Sequence, residues 1–196
     1  MMTCCICKST VGHEMTDETL FIKCDVCGHY KISTEQYEKL SLKRESFYTF
    51  SSRLREIYNE LLFISAHPDE VNMEKLNDMI LQLMPTFLVS KSVLLDEHLI
   101  EQLLLTKDKL IKEKYILFLQ YLYKKYKFEE FITLRSDKEA IAVSWCENNK
   151  EFETLINKAI KEDHIMVVDK SKTPPYYTLT FDGIAFLQEQ ENTKNI

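Results

Sequence analysis

Four cysteines near the start of the chain, Cys4, Cys7, Cys24 and Cys27, stand as two C-x2-C pairs with sixteen residues between them. Zinc(II) takes four soft ligands in a tetrahedron, and two thiolate clamps at this spacing supply them. A closed Cys4 site leaves no coordination position open to a substrate, so the expected ion is one structural Zn2+. Cys5 is an alternative ligand, but a C-x2-C turn favours Cys4 with Cys7. His13 and His29 are further candidates, although four thiols already complete the set. Disulfides compete for the same residues. Five of the six cysteines fall in the first 27 residues, and clustered C-x2-C pairs in a reducing compartment favour metal. Cys146 follows Trp145 and reads as a small buried hydrophobe.

The elements around these thiols follow from pattern. Thr19–Lys23 is short and apolar, reads as a strand and delivers the chain into Cys24. Gly28 follows the second clamp, where a knuckle needs positive φ. His29–Ile32 reads as the returning strand, and two knuckles on short strands make a zinc ribbon over residues 1–32. So few residues bury too little to fold alone, so metal must supply folding energy.

Ser33 with Gln36 forms a capping-box pattern that opens a helix. Helical spacing then runs through Leu54, Ile57, Tyr58, Leu61 and Leu62, and His67-Pro68-Asp69 breaks it. A further helix is expected after Asn72, with Leu76, Met79, Ile80, Leu83 and Met84 on one side, stopping at Pro85. Leu95, Leu99, Ile100, Leu103 and Leu104 suggest another. His67 and His98 stand alone and read as loop or helix-surface residues. Residues 33–106 thus read as a helical connector without a catalytic constellation.

The last third, 107–196, begins with a helix bearing Ile111, Tyr115, Phe118, Leu122 and Tyr126. Ile141, Val143 and Trp145 alternate with Ala140, Ala142 and Ser144, a strand signature over Glu139–Cys146. Asn148 and Glu151 form a second capping pattern before an amphipathic helix of Phe152, Leu155, Ile156, Ala159 and Ile160. A strand at Ile165–Val168, a polar turn and a return strand at Tyr176–Thr180 follow, then a final helix after Gly183. Helix, hairpin and helix in this order are what a winged helix-turn-helix requires. The fold class expected is mainly α with small β elements: an N-terminal zinc ribbon, a helical middle and a C-terminal winged helix-turn-helix.

Composition narrows function. The chain has 196 residues, 45% hydrophobic, with three Gly and four Pro, which points to a helix-rich core without long flexible linkers. No run approaches the roughly 18 apolar residues that span a bilayer, and the N-terminus lacks signal-peptide features, so a cytoplasmic location is expected. The formal charge is −6, which on average repels DNA phosphates. It is uneven: Phe50 to Leu105 carries four basic and nine acidic side chains, whereas Lys107 to Lys127 carries seven Lys against Asp108 and Glu113. That basic band reads first as a solvated helix face. No P-loop, GxGxxG, GxSxG or HExxH motif occurs, so catalysis is not expected.

The opening stretch, CCICKS…KCDVCGHYKIS, resembles the zinc ribbons at the head of many bacterial proteins. The closing stretch, LINKAIKEDHIMVVDKSKTPPYYTLTFDGIAFLQ, resembles winged-helix tails, with Leu179, Thr180 and Gly183 at the closing strand and the turn after it. His164 stands where such tails commonly have glycine. Ribbon, helical middle and winged tail together are similar to the accessory portion of prokaryotic anti-phage effectors associated with retrons and TIR domains. That resemblance implies a regulatory subunit of an antiviral defence system, without the toxic domain such proteins usually carry.

The helix Glu151–Lys161 would take the recognition position, leaving Thr154, Asn157, Lys158 and Lys161 outward, with Lys170 and Lys172 on the wing for phosphate. The stretch 151–163 holds four acidic and two basic side chains and no Arg, which weakens a DNA reading. The partners expected are therefore DNA or, alternatively, a protein effector subunit docked by an adaptor that binds no DNA; a homo-oligomer is compatible with either.

Overall fold

The computed structural model describes residues 2–42, 48–105, 107–126, 129, 131–134, 137–169, 171–172 and 175–194. The chain divides into two compact units, Met1–Lys107 and Asp108–Ile196. Among the described residues no helix is long and apolar enough to cross a membrane.

The first unit is built on a five-stranded sheet in sequential order: β1 (Met2–Thr3), β2 (Thr10–Thr16), β3 (Thr19–Cys24), β4 (Gly28–Ser33) and β5 (Val93–Leu95). The alternation in β3 buries Leu20, Ile22 and Cys24 on one face, and β4 answers with buried Tyr30 and Ile32. The antiparallel register Leu20↔Ile32, Ile22↔Tyr30 and Cys24↔Gly28 carries that apolar face directly into the second knuckle. Strand β2 pairs with β3 from Gly12↔Lys23 to Thr16↔Thr19; it is largely exposed and has no apolar alternation that would announce it.

Among the described residues four helices complete this unit. Helix α1 (Thr34–Ser41) is capped by Ser33, whose hydroxyl accepts from the Gln36 amide at 3.2 Å, as the sequence pattern requires. Helix α2 (Tyr48–Ala66) buries Phe50, Leu54, Ile57, Leu61 and Ile64, one stripe at steps of three and four. Two short 3-10 turns, Pro68–Glu70 and Met73–Lys75, follow the break at His67.

Helix α3 (Asp78–Ser90) then starts from Asn77, not Asn72, and contains Pro85 instead of ending there. A proline forfeits a single amide donor; here Pro85 is exposed, and buried Ile80 and Phe87 hold the helix on either side of it. Its end comes at Lys91, left-handed at φ 51, whose amide reaches Phe87 O at 2.7 Å.

Leu95, expected in a helix, lies in β5, and helix α4 (Glu97–Leu104) begins after the Asp96 cap. Strand β5 runs parallel to β4, with Tyr30↔Val93 and Ile32↔Leu95. Parallel neighbours need a crossover, and α1 to α3 are that crossover. Residues 1–32 and the segment after them therefore share one sheet and one core.

The second unit contains α5 (Ile111–Tyr126), α6 (Lys138–Val143), α7 (Asn149–Lys161), the hairpin β6 (Ile165–Asp169) and β7 (Tyr176–Leu179), and α8 (Phe181–Lys194). Ile132 bridges to Tyr177, adding a third short partner beside β7. The stretch 139–146 is not the expected strand. Asp137 caps α6 by accepting the Ala140 amide at 3.0 Å, and Ala140, Ile141 and Ala142 are buried in succession. Small residues on every side of one short, enclosed helix mimic the alternation of a half-buried strand. Trp145 closes α6 at φ 58, with Trp145 N to Ala142 O and Cys146 N to Ile141 O both at 3.0 Å.

Helix α7 follows the capping pattern: Asn148 Oδ1 accepts the Glu151 amide at 3.0 Å, and Glu151 Oε2 accepts the Glu147 amide at 2.7 Å. The other Glu151 oxygen binds Lys114 Nζ at 2.8 Å, which also reaches Asp108 at 2.5 Å. Burial alone would lower the Lys114 pKa, yet its hydrogen bonds to Asp108 and Glu151 raise it above the ordinary lysine value. Lys114, with 2% of its side chain exposed, is thus a buried, paired member of the basic band. Lys109 stacks over the Trp145 ring at 4.4 Å, and Lys125 binds Glu139 at 2.6 Å. Lys107, Lys112 and Lys124 are exposed, as a solvated face requires, whereas Lys109, Lys114 and Lys125 are engaged in internal contacts; Lys127 lies outside the described residues.

The turn after α7 explains the Leu-Thr-x-x-Gly pattern. Asp163 takes the left-handed conformation, φ 55, so His164 need not be glycine. His164 shares a 2.7 Å hydrogen bond with the Tyr115 hydroxyl and stacks on Phe186 at 4.6 Å. Thr180 donates its hydroxyl to Asp163 O, accepts the Gly183 amide at 3.1 Å, and sends its own amide to His164 O at 3.1 Å. A Cβ on Gly183 would sit 2.4 Å from that same His164 carbonyl. Gly183→Ala is expected to lower stability by about 1–3 kcal/mol, the usual cost of forced overpacking, read as a reduced urea midpoint at unchanged slope.

Candidate metal centre

Two knuckles meet at the edge of the first sheet. In the first, Cys4 N donates to Ser9 O at 2.8 Å and Lys8 N to Cys4 O at 3.0 Å, with Lys8 left-handed at φ 60. In the second, the Cys27 amide donates to Cys24 Sγ at 3.3 Å and Gly28 takes φ 83. The residue after the second cysteine of each clamp therefore has positive φ, a position the sequence announces by glycine in one knuckle and hides behind lysine in the other.

The four sulfurs of Cys4, Cys7, Cys24 and Cys27 are buried and lie within 4.8 Å of one another. The close pairs cross between clamps: Cys4 to Cys27 at 3.7 Å and Cys7 to Cys24 at 3.6 Å. Disulfide sulfurs stand about 2.05 Å apart, so these are not bridges, and all six cysteines are free. A tetrahedron with metal–sulfur bonds of about 2.3 Å has edges of about 3.8 Å, and the cross-clamp distances match it. The donor set therefore fits a transition-metal ion. Cys5 Sγ is outside the cluster, 3.6 Å from the Tyr30 hydroxyl, and burial pushes its thiol up to about 12. His13 is exposed on β2, and His29 packs its ring 5.2 Å from Tyr58; neither joins the ligands.

Electrostatics distinguish the sulfurs. Hydrogen bonds from Cys24, Cys27 and Cys7 hold Cys4 far below the usual thiol range, and those from Cys24 and Cys27 lower Cys7. Burial pushes Cys27 well above it. One cluster of this kind stabilises negative charge poorly by itself; a cation in its centre lets all four deprotonate.

Two hydroxyls support the sulfurs from outside. Tyr30, whose phenol burial pushes well above its ordinary pKa, lies 3.0 Å from Cys4 Sγ. Ser51 Oγ lies 3.1 Å from Cys27 Sγ. A metal-bound thiolate has no proton to give, so with metal present both hydroxyls are the donors.

Ser51 belongs to α2, and it is not alone. Arg55 donates to the carbonyls of Asp25 and Val26, and Tyr58 packs its ring where a Cβ on Gly28 would stand, 2.6 Å from its Cγ. Ser51, Arg55 and Tyr58 fall at i, i+4 and i+7, one face of α2 turned on the second knuckle. Sequence reasoning missed this stripe; Ser51, Arg55 and Tyr58 at helical spacing, beside the apolar stripe of α2, were its signal. Lys8 makes the matching link for the first knuckle, its Nζ donating to Cys5 O at 2.8 Å and Leu40 O at 3.3 Å at the end of α1.

The nucleic-acid candidates of the second unit are less uniform. Asn157 and Lys161 are exposed on α7. Thr154 is exposed but returns its hydroxyl to Lys150 O at 2.9 Å. Lys158 pairs with Glu162 and lies 4.9 Å from the Tyr115 ring, so it folds back onto its own unit. Lys172 is exposed, and Lys170 lies outside the described residues.

Comparison with family models, with curated proteins and with solved structures found no match to this chain.

Metal stripped with a strong chelator should cost the first unit its cooperative unfolding while the second keeps its own, because every ligand and every supporting hydroxyl lies before Lys107. Ser51→Ala should weaken metal binding about 10–100-fold, measured by competition with a chromophoric chelator. The pH dependence has a definite sign. Metal holds each ligand's proton affinity below that of an unfolded thiol near 8.5, so its stabilisation is fullest above that pH and declines as pH falls. Metal content measured across a descending pH series should drop accordingly; a flat profile would contradict thiolate ligation.

Proposed function

We propose that this chain is a non-catalytic, zinc-stabilised DNA-binding protein whose second unit is a winged-helix module. Zinc is the ion that best suits four thiolates in a closed tetrahedron, being redox-inert and indifferent to d-electron geometry. The first unit is then a zinc ribbon extended by a parallel fifth strand and clamped by α2.

The observation that carries the winged-helix reading is the order α5, the Ile132 bridge, α6, α7, β6 and β7, with Tyr177 paired on both sides. In that arrangement α7 takes the recognition position and the β6–β7 hairpin is the wing. The lock of Thr180 and Gly183 against the α7–β6 turn fixes the hairpin relative to the helix, which a rigid reading head requires. Asn157 and Lys161 supply base-edge and phosphate contacts from α7, and Lys172 supplies a phosphate contact from the wing. Lys158, tied to Glu162 and Tyr115, contributes through positioning.

A second reading, a protein adaptor in a regulatory complex, draws on the apolar surface of the first unit, where Val89 is 89% exposed and Phe63, Leu88 and Leu94 are also exposed. Such surface often marks a partner site.

The two readings separate by salt. Duplex DNA at low ionic strength should retain the protein, with affinity falling as salt rises. Lys161→Ala with Lys172→Ala should reduce the logarithmic salt slope by about 2 while leaving the circular dichroism unchanged. No retention of the native protein on duplex at low salt would reject DNA binding and leave the adaptor.

A further inference from the structure

A cleft of about 470 Å3 opens between α7 and β7, lined by Asn149, Phe152, Glu153, Ile156 and Asn157 from the helix and by Pro175 and Tyr177 from the hairpin. Its size falls within the range of roughly 300–1,000 Å3 usual for small-molecule sites.

The walls are fixed. Phe152 is buried, with its ring edge-on to Phe118 at 5.5 Å. Tyr177 is held through its backbone, donating to Ile132 O at 2.9 Å and accepting from Ile132 N at 2.8 Å. Asn149, Glu153 and Asn157 stand at i, i+4 and i+8, a single line along α7. Among the described residues no hydrogen bond or ion pair engages these three side chains. Of the polar residues nearby, Asn148 and Glu151 cap the helix, and Lys158 binds Glu162.

The chemistry of the lining selects its ligand. Among the described residues no Lys or Arg lines the cleft, so a phosphate group finds no counter-charge from them, and Glu153 would repel it. The Tyr177 ring and Pro175 in the lining offer surfaces against which a planar heterocycle can stack. An ionised carboxylate accepts hydrogen bonds only, whereas each carboxamide can also donate. Guanine presents two adjacent N–H donors, N1–H and the N2 amine, which a carboxylate accepts together. Its O6 lies beside N1–H on the same edge and N7 on the adjoining one, so a neighbouring carboxamide N–H2 can donate to either. Adenine and cytosine set a lone pair beside their amine, which faces a carboxylate unfavourably, and uracil and thymine offer one N–H between two carbonyls.

We infer that this cleft is a binding site for an unpaired guanine base, with Glu153 accepting from N1–H and N2–H and an Asn149 or Asn157 amide donating to O6 or N7. The inference goes beyond duplex binding and does not rest on it. The base is that of a free nucleoside or of a single strand, and the same chemistry serves both.

The test titrates the full chain with guanosine, adenosine and uridine, and with an oligothymidylate carrying a single guanine. Calorimetry gives affinity, and amide resonances of Asn157 and Tyr177 report the place. Guanosine should bind at least about tenfold more tightly than adenosine or uridine. Glu153→Gln, an exposed change that leaves the helix intact, should remove most of that preference. Tighter binding of the guanine-bearing strand than of guanosine assigns the site to single-stranded nucleic acid; the reverse assigns it to a free nucleoside. Equal affinity for the three nucleosides, no guanosine binding, or a preference that survives Glu153→Gln would overturn the inference. Loss of duplex retention alongside intact guanosine selectivity would remove the winged-helix DNA reading and leave this site standing.

Discussion

Four sulfurs crowded into a buried volume repel one another once ionised, and only a cation at their centre lets them stay together. The first unit is arranged around that requirement. Burial raises Cys27 while neighbouring thiols lower Cys4 and Cys7, a division of charge that a central ion removes. The supporting hydroxyls come from two different elements, Tyr30 in β4 and Ser51 in α2. The thiol cluster therefore joins the hairpin to the helical layer, and a unit that looks like a ribbon followed by a connector forms one structure. The parallel pairing of β5 with β4 makes the same junction through backbone hydrogen bonds.

The second unit has no metal cluster among its described residues and depends on polar locks at helix ends. Asp137, Asn148 and Thr180 each accept an amide at the start of a helix. Glu151 adds a second function, binding the buried Lys114 with one oxygen and the Glu147 amide with the other. A lysine buried in this way is tolerable only because both carboxylates meet it. The consequence for function is that the lysine-rich stretch before Tyr126 offers less free positive charge than its composition suggests, and attention moves to α7 and the hairpin.

Much of this architecture is legible in residue order. The C-x2-C clamps named the four thiols that cluster, because thiolate chemistry and turn geometry are local. Ser33 and Asn148 were equally readable, and so was the middle of the α5 stripe at Tyr115, Phe118 and Leu122, although Ile111 is exposed, since capping and helical periodicity involve residues three or four apart. The errors have physical causes of their own. Small residues in α6 imitate a strand because an enclosed short helix hides all of its sides. Pro85 looks like a terminus because its lost amide is visible in the sequence, while the packing of Ile80 and Phe87 that outweighs the loss is not. Left-handed Lys8, Trp145 and Asp163 carry no glycine to announce them, because neighbouring hydrogen bonds hold the strained conformation.

The chain's own chemistry thus determined which atoms can hold a metal, where most helices begin, and that no familiar catalytic motif is present. Those properties depend on residue type and on spacings of a few positions. Tertiary structure alone decided that Ser51, Arg55 and Tyr58 address the second knuckle, that Lys114 is buried between two carboxylates, and that Asn149, Glu153 and Asn157 line a cleft with Tyr177. Each of these joins residues tens of positions apart, and such meetings follow from packing and strand pairing, which short-range pattern does not encode.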